Sequence, residues 1–366
     1  MRAAVFHDFF STIGGGERVA VALASCLDAD IITTDVDTPE WFLSTNRVRS
    51  LGRTSTYPGL RQIRTMSRFL LSDVRDEYDL FVFSGNWAHH ASLRHTPSFL
   101  YCHTPVRAFY DLYPVFMERQ HPLIGPFFAT ACGCMRWIDK KSIHRVSNIV
   151  ANSFAVKDRI RQYYGRDADV IYPAVDCSRY SCKEYGDFWL SVNRIYPEKR
   201  IELQIEAFSH LPNEQLIIVG GYAIGDHARP YAKRIREMAA ACPNVHLVGQ
   251  ISDDELTDLY SRCTGVLCTA MEEDFGLSPL ESMASGKPVI AVAEGGFLET
   301  ITTEQGVLIN PNLDQLIAAI QGVSQKPEQY YDACLDRAKA FDIRFFNDKI
   351  KQKAADVLEM GSSSAL

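Results

Sequence analysis

The chain has 366 residues, about twice an ordinary domain, so two domains of comparable size are expected, each with a core of its own. Hydrophobic residues make up 46% and charged residues 23%, which excludes a disordered or fibrous chain, and no run approaches the 18 apolar residues of a membrane span. A net charge of −7 argues against nucleic-acid binding, and the opening MRAAVFHDFFSTIGGGER has acids and glycines where a signal peptide carries its apolar core, so a cytoplasmic protein is expected.

In chain order, residues 2–6, 30–34, 80–84, 98–103, 148–152 and 170–172 read as strands, with helical spacing over 17–26 and 154–164. Strand and helix in alternation imply a parallel sheet. Residues 47–75 carry seven arginines opposed within the run only by Asp73, together with Leu60, Ile63, Phe69 and Leu71. Such a run can rest peripherally on an anionic membrane at the inner face of the cell, take an anionic acceptor, or form a solvated helix face. Through residue 180 there are 21 basic against 18 acidic residues, and beyond it 17 against 27, so the two halves differ in surface.

The pattern then restarts. Residues 188–193, 215–219, 245–248, 265–269, 288–292 and 306–309 read as a second set of parallel strands, and Ser252-x-x-Glu255 as a capping box. Residues 172–185 have neither period and are expected to link the domains, with Asp176 near the hinge. We therefore expect an α/β protein with an N-terminal domain over 1–180 and a C-terminal domain over 181–344. By fold analogy a final helix over about 345–366 packs back on the first. Ten cysteines show no zinc spacing and read as buried free thiols.

Two segments carry chemistry. In SVNRIYPEKRIELQIEAF, Arg194 follows a strand and Lys199 opens a helix, and two cations so placed can neutralise a pyrophosphate. In EDFGLSPLESMASGKPVIAV, Ser278 suits an N-cap, Pro279 a first helical position and Glu281 the far end of a capping box. The amino end of that helix is a natural anion site, and Gly276 lets backbone approach closely. Glu281 is explained as well by capping as by a ligand.

These residues resemble family 4 of the retaining glycosyltransferases. Glu273 and Glu281 have seven residues between them, SMASGKPVIA follows, Arg194 and Lys199 lie upstream and Glu294-Gly295-Gly296 downstream. GGGER at 14–18, CHTPVR at 102–107, ANSFAVK at 151–157 and YPAVD at 172–176 match in kind and order, so the resemblance spans nearly the whole chain. It implies the GT-B fold: two Rossmann-like domains whose parallel sheets face a cleft, the first binding acceptor and the second nucleotide-sugar donor. It implies that Arg194 and Lys199 bind the donor diphosphate, Glu281 the donor ribose and Glu273 the sugar hydroxyls. Backbone at Phe275, Gly276 and Leu277 touches phosphate or sugar, backbone near Gly249 meets the base, Gly15 and Gly16 face the diphosphate, and His103 lies near the reacting carbon. Asp274 stands where the family usually has glycine. The first-half motifs resemble most the mannosyltransferases of polysaccharide and lipid-linked glycan assembly, so GDP-mannose is the first expectation for the donor and a glycan or lipid-linked sugar for the acceptor.

The expected chemistry is electrostatic: charge growing on the leaving diphosphate meets groups already aimed at it. No cofactor and no metal is expected, because no Asp-x-Asp motif stands in a plausible place: Asp35-Val36-Asp37 has the spacing but lies at an early strand end. An NAD(P) enzyme would use Gly14-x-Gly16 and Asp35, but Val19 occupies the third glycine position and seven residues separate strand from glycines. A hydrolysing epimerase would need an acid/base pair that cannot be assigned, and a non-catalytic sugar-nucleotide binder would not need so complete a set of residues.

Overall fold

The computed structural model describes all residues except 12, 39–42, 44, 45, 56, 58, 122, 223–227 and 364–366. The chain forms two compact units, Met1–Tyr172 joined by Asn347–Leu366, and Pro173–Phe346. The division falls at the start of the aperiodic segment 172–185.

The first unit holds seven parallel strands: β1 (Ala3–His7), β2 (Asp30–Thr33), β3 (Val48–Ser50), β4 (Leu80–Ser84), β5 (Ser98–Cys102), β6 (Asn148–Ala151) and β7 (Asp169–Val170). Their order is β3-β2-β1-β4-β5-β6-β7. β1, β4 and β5 are buried along their whole length, which is why AAVFH, LFVFS and SFLYC are nearly continuous apolar runs without alternation. Beside them, Phe6 packs against Phe69, Phe81 and Phe83 at ring separations of 5.7–6.3 Å. Phe69 is one of only two residues that the helix Leu60–Leu71 buries, so it anchors that helix.

β3 was not expected. It is the sheet edge, and its sequence, Val48 between Arg49 and Arg47, lacks the apolar run that marks the central strands. The arginine run is therefore not one amphipathic stretch but an edge strand, a loop and a helix. Nor is it unopposed: Arg47 pairs with Asp30 and Asp28, Arg49 with Glu77 at 2.9 Å, Arg53 with Asp37 at 3.3 Å and Arg61 with Asp35 at 3.8 Å. Acids distant in sequence neutralise what looked like free positive charge.

The final helix, Ile343–Ser363, lies within the first unit from Asn347 on. Ile350, Ala354 and Val357 are buried, and Lys353 Nζ reaches Asp169 at 2.8 Å and Asn148 at 3.1 Å, fastening the helix to the β6–β7 edge.

The second unit holds β8 (Phe188–Val192), β9 (Gln215–Val219), β10 (Val245–Gly249), β11 (Gly265–Cys268), β12 (Val289–Val292) and β13 (Gly306–Ile309), ordered β10-β9-β8-β11-β12-β13 and all parallel. Each sheet reverses its order once, at β1/β4 in the first and β8/β11 in the second. Such switch points are where open α/β sheets bind ligands, beyond the carboxyl ends of the strands. Among the described residues no helix is long and apolar enough to cross a membrane.

Candidate functional site

In the second unit the predicted residues other than Gly249, which ends β10, lie on the segments that follow β8 and β11 at the switch point. β8 ends at Val192, and Arg194 follows, exposed, with its guanidinium 5.6 Å from the Tyr196 ring. The 3-10 turn Pro197–Lys199 brings Lys199 onto the Glu273 carboxylate in a short ion pair, both side chains about one-fifth exposed. Backbone ties hold the two loops together: Met271 N–H donates to the Glu198 carbonyl at 2.7 Å, and the Thr269 hydroxyl to the Lys199 carbonyl at 2.7 Å. Arg200, in the left-handed region at φ +49°, pairs with Glu294 at 2.9 Å, and Glu294 also accepts the Glu272 N–H at 3.1 Å. This second ion pair was not among the expected functional groups. Glu294-Gly295-Gly296 was the available signal, and its glycines have a geometric reason. A Cβ on Gly295 would stand 2.4 Å from the Glu273 carbonyl oxygen, and one on Gly296 2.5 Å from Phe275 Cα. Bare backbone therefore packs against the acidic loop and props Glu273 where it is.

The helix after that loop differs from expectation. It spans Leu277–Ala284 with Gly276 as N-cap at φ +90°, two residues earlier than the S-x-x-E pattern implies. Ser278 makes no capping bond: its hydroxyl donates to the Val192 carbonyl at 3.2 Å, drawing the helix start onto the end of β8. Glu281 is not a capping-box glutamate either, because its carboxylate accepts the hydroxyl of fully buried Tyr260 at 2.8 Å. The capping box expected at Ser252–Glu255 does form, with Glu255 reaching back to the Ser252 N–H at 2.8 Å.

The remaining candidates of this unit sort by burial. Phe275 is 2% exposed and packs on Phe341 at 5.8 Å, so its side chain belongs to the core and only its backbone can meet a ligand. Gly276 is required by its own φ and by Phe297, whose ring a Cβ would meet at 2.7 Å. Gly249 ends β10 at φ +79°, and its carbonyl accepts the Gly220 N–H at 2.8 Å. Lys287 of the SGKP segment is structural: it is fully buried, bonded to the Glu184 carbonyl and 4.0 Å from the Tyr185 ring.

In the first unit His103 follows β5 beside the β1/β4 switch point. Its Nε2 lies 2.8 Å from the Ser84 hydroxyl, and the Ser84 carbonyl lies 3.0 Å from His7 Nδ1, so one serine joins both histidines. Burial, with a smaller contribution from His7, pushes His103 down to about 3, and the ring is neutral at ordinary pH. Cys102 points away into the apolar core, as alternation along a strand requires. Asp8, at the end of β1, accepts the backbone N–H groups of Asn86, Trp87 and Ala88 at 2.7–2.8 Å. Gly85, at φ +119°, lets the chain pass within contact of that carboxylate. His7, Asp8 and Ser84 were missed because each is a single polar residue at the end of an apolar strand, and only the sheet order brings them together.

Gly15 and Gly16 open the helix Gly15–Leu27. A Cβ on Gly16 would meet nothing within 4 Å, so no packing inside this unit calls for glycine there. Asp35, which a dinucleotide would need for its ribose, is already engaged by the Thr54 N–H at 2.9 Å, by the Thr54 hydroxyl and by Arg61. Asp37, its companion in the Asp-x-Asp spacing, pairs with Arg53.

Two family signatures match the chain, Glycosyltransferase Family 4 over residues 13–179 and Glycosyl transferases group 1 over residues 182–340. Among curated relatives, the chain is 28% identical over 234 residues to the O-antigen chain mannosyltransferase RfbU of Salmonella typhimurium, covering 61% of this chain and 62% of that protein. It is 32% identical over 211 residues to the alpha-1,3/1,6-mannosyltransferase ALG2 of Saccharomyces cerevisiae, covering 45% and 42%. The chain thus spans less than two thirds of the length of these two relatives. Among solved structures, HepE of Anabaena in complex with UDP and glucose superposes with a TM-score of 0.78 at 19% identity, covering 96% of this chain and 99% of that one. Sucrose-phosphate synthase of Thermosynechococcus elongatus gives 0.78 at 18%, covering 98% and 99%. At such identities the structures speak for the fold alone, while the two signatures together account for nearly every motif from GGGER to Glu294-Gly295-Gly296. The chain belongs to the family 4 glycosyltransferases of the GT-B fold.

Proposed function

We propose that the protein is a retaining hexosyltransferase that moves mannose from GDP-mannose to a glycan or lipid-linked acceptor. The observation that carries the transfer reading is the convergence of Arg194, the Lys199–Glu273 pair and the amino end of the helix Leu277–Ala284 at the switch point of the second sheet. The choice of mannose rests on the relatives named mannosyltransferases.

In this reading the donor diphosphate takes the place of Glu273 on Lys199, with Arg194 as forked donor and the helix dipole behind it. Glu273, released, turns to the sugar hydroxyls, and Glu281, oriented by Tyr260, takes the ribose. The groups that meet the growing negative charge are fixed before the anomeric bond breaks, so little reorganisation is needed in the transition state. His103 serves as a neutral hydrogen-bonding group rather than an acid. No metal enters the proposal, since charge neutralisation falls to Arg194 and Lys199. Peripheral membrane contact narrows to the helix Leu60–Leu71, where Leu60, Ile63 and Leu71 are exposed, because most arginines around it are paired.

The test is transfer of labelled mannose from GDP-mannose to a lipid-linked glycan in EDTA, with the configuration of the product read by NMR. Transfer with an α-linked product supports the proposal. A β-linked product refutes retention, and activity lost in EDTA and restored by magnesium refutes the metal-free mechanism.

A further inference from the structure

One polar cluster of the first unit takes no part in this account. His89 and His90 lie on the 3-10 helix Ala88–Leu93, and Asp139 lies near the end of the helix Gly125–Ile143. They are 2%, 3% and 1% exposed. The buried atoms His89 Nε2, His90 Nε2 and Asp139 Oδ1 have no hydrogen-bond partner among the described residues, and one ligand atom from each residue lies within 4.8 Å of the others. His89 Nε2 and Asp139 Oδ1 are 3.0 Å apart without the alignment of a hydrogen bond. A buried His89–Asp139 contact without hydrogen-bond alignment, beside a His90 Nε2 with no hydrogen-bond partner among the described residues, needs an explanation, because burial costs desolvation that this geometry does not fully return.

We propose that His89 Nε2, His90 Nε2 and Asp139 Oδ1 form a buried structural site for a zinc-class divalent ion. Two imidazoles and a carboxylate form a ligand set that suits zinc, whereas magnesium and calcium prefer oxygen throughout. A tetrahedral ion with bonds of about 2.1 Å needs ligand atoms about 3.4 Å apart, so atoms now between 3.0 and 4.8 Å apart need move little. The surroundings are built to hold such a ligand. The Tyr110 hydroxyl donates to the other oxygen of Asp139 at 2.8 Å, orienting Oδ1. The Ser142 hydroxyl donates to the His89 carbonyl at 3.1 Å, and the Trp87 ring stacks over His90 at 6.4 Å. The fourth position falls to a non-protein ligand. The ion ties the 3-10 helix, whose entry at Asn86, Trp87 and Ala88 Asp8 holds, to the long helix beyond it. Its role is to brace the first unit, separate from the phosphate residues of the second.

Sequence spacing does not reveal this site, since 48 residues separate His90 from Asp139 and neither stands in a ligand motif.

The test is elemental analysis of the full chain, expressed with zinc and purified without chelator or metal resin, followed by cobalt exchange and a visible spectrum. The proposal expects about one zinc per chain and ligand-field bands from the cobalt form. It expects His90→Gln and Asp139→Asn to lose at least nine-tenths of the metal, His144→Gln to keep it, and stripping to lower the Tm until zinc is returned. Activity lost on stripping and restored by zinc but not by magnesium, in step with the Tm, belongs to this site. Wild-type protein with neither zinc nor cobalt bands, or metal that persists in both variants, overturns the proposal. If His90→Gln does not fold, the wild-type zinc content and cobalt spectrum still decide.

Discussion

The two sheets share one strand order and place their candidate residues at the same point of it, but the two switch points are wired differently. At β1/β4 the Ser84–His7 and Ser84–His103 contacts form a hydrogen-bonded chain with His103 held neutral, and Asp8 is committed to backbone. At β8/β11 the side chains meet as ion pairs, Lys199 with Glu273 and Arg200 with Glu294, beside a helix amino end. A site of the first kind orients hydroxyl groups. One of the second kind can trade a carboxylate for a phosphate.

That contrast is broken most directly by removing a cation. Arg194→Ala or Lys199→Ala should lower transfer by about 100-fold or more with little change in Tm, the scale of a single electrostatic stabiliser; near-normal rates in both variants would remove the phosphate assignment. The first site should respond in stability. Asp8→Ala leaves three backbone N–H groups without their acceptor and should cost about 3 kcal/mol or more in urea unfolding; a cost below about 1 kcal/mol would show that the carboxylate does not hold this turn. Tyr260→Phe should cost about 1 kcal/mol. It should also raise the donor KM several-fold with kcat nearly unchanged, and a fall in kcat instead would place Glu281 in the chemical step.

A pH-dependent effect concerns His103. The unfolded histidine takes up a proton near its ordinary value of about 6.5, whereas the folded one resists until about 3. Its contribution to stability is therefore present above about 6.5 and lost as pH falls toward 3. In His103→Gln the loss of stability across that window should be smaller than in wild type, and parallel curves would contradict the neutral ring.

Most of the fold was legible because the central strands are buried on both faces and carry unbroken apolar runs. The edge strand β3 was not, since Arg47 and Arg49 flank its one apolar residue. The placement of Arg194 and Lys199 in the turn after a strand was legible from the sequence. The details around them were set by competition: Ser278 found the Val192 carbonyl rather than its own helix, and Glu281 found Tyr260, a residue that sequence distance hides. The arginine run misled for the same reason, because Asp28, Asp30, Asp35, Asp37 and Glu77 reach it only in the folded chain.

The central claim, a nucleoside-diphosphate site on the second sheet, is tested most directly by calorimetric titration of GDP, UDP, ADP and NAD into wild type and Arg194→Ala. The account predicts that GDP binds wild type and that the substitution weakens it at least tenfold. Binding that the substitution leaves unchanged, or a response to NAD alone, would contradict it.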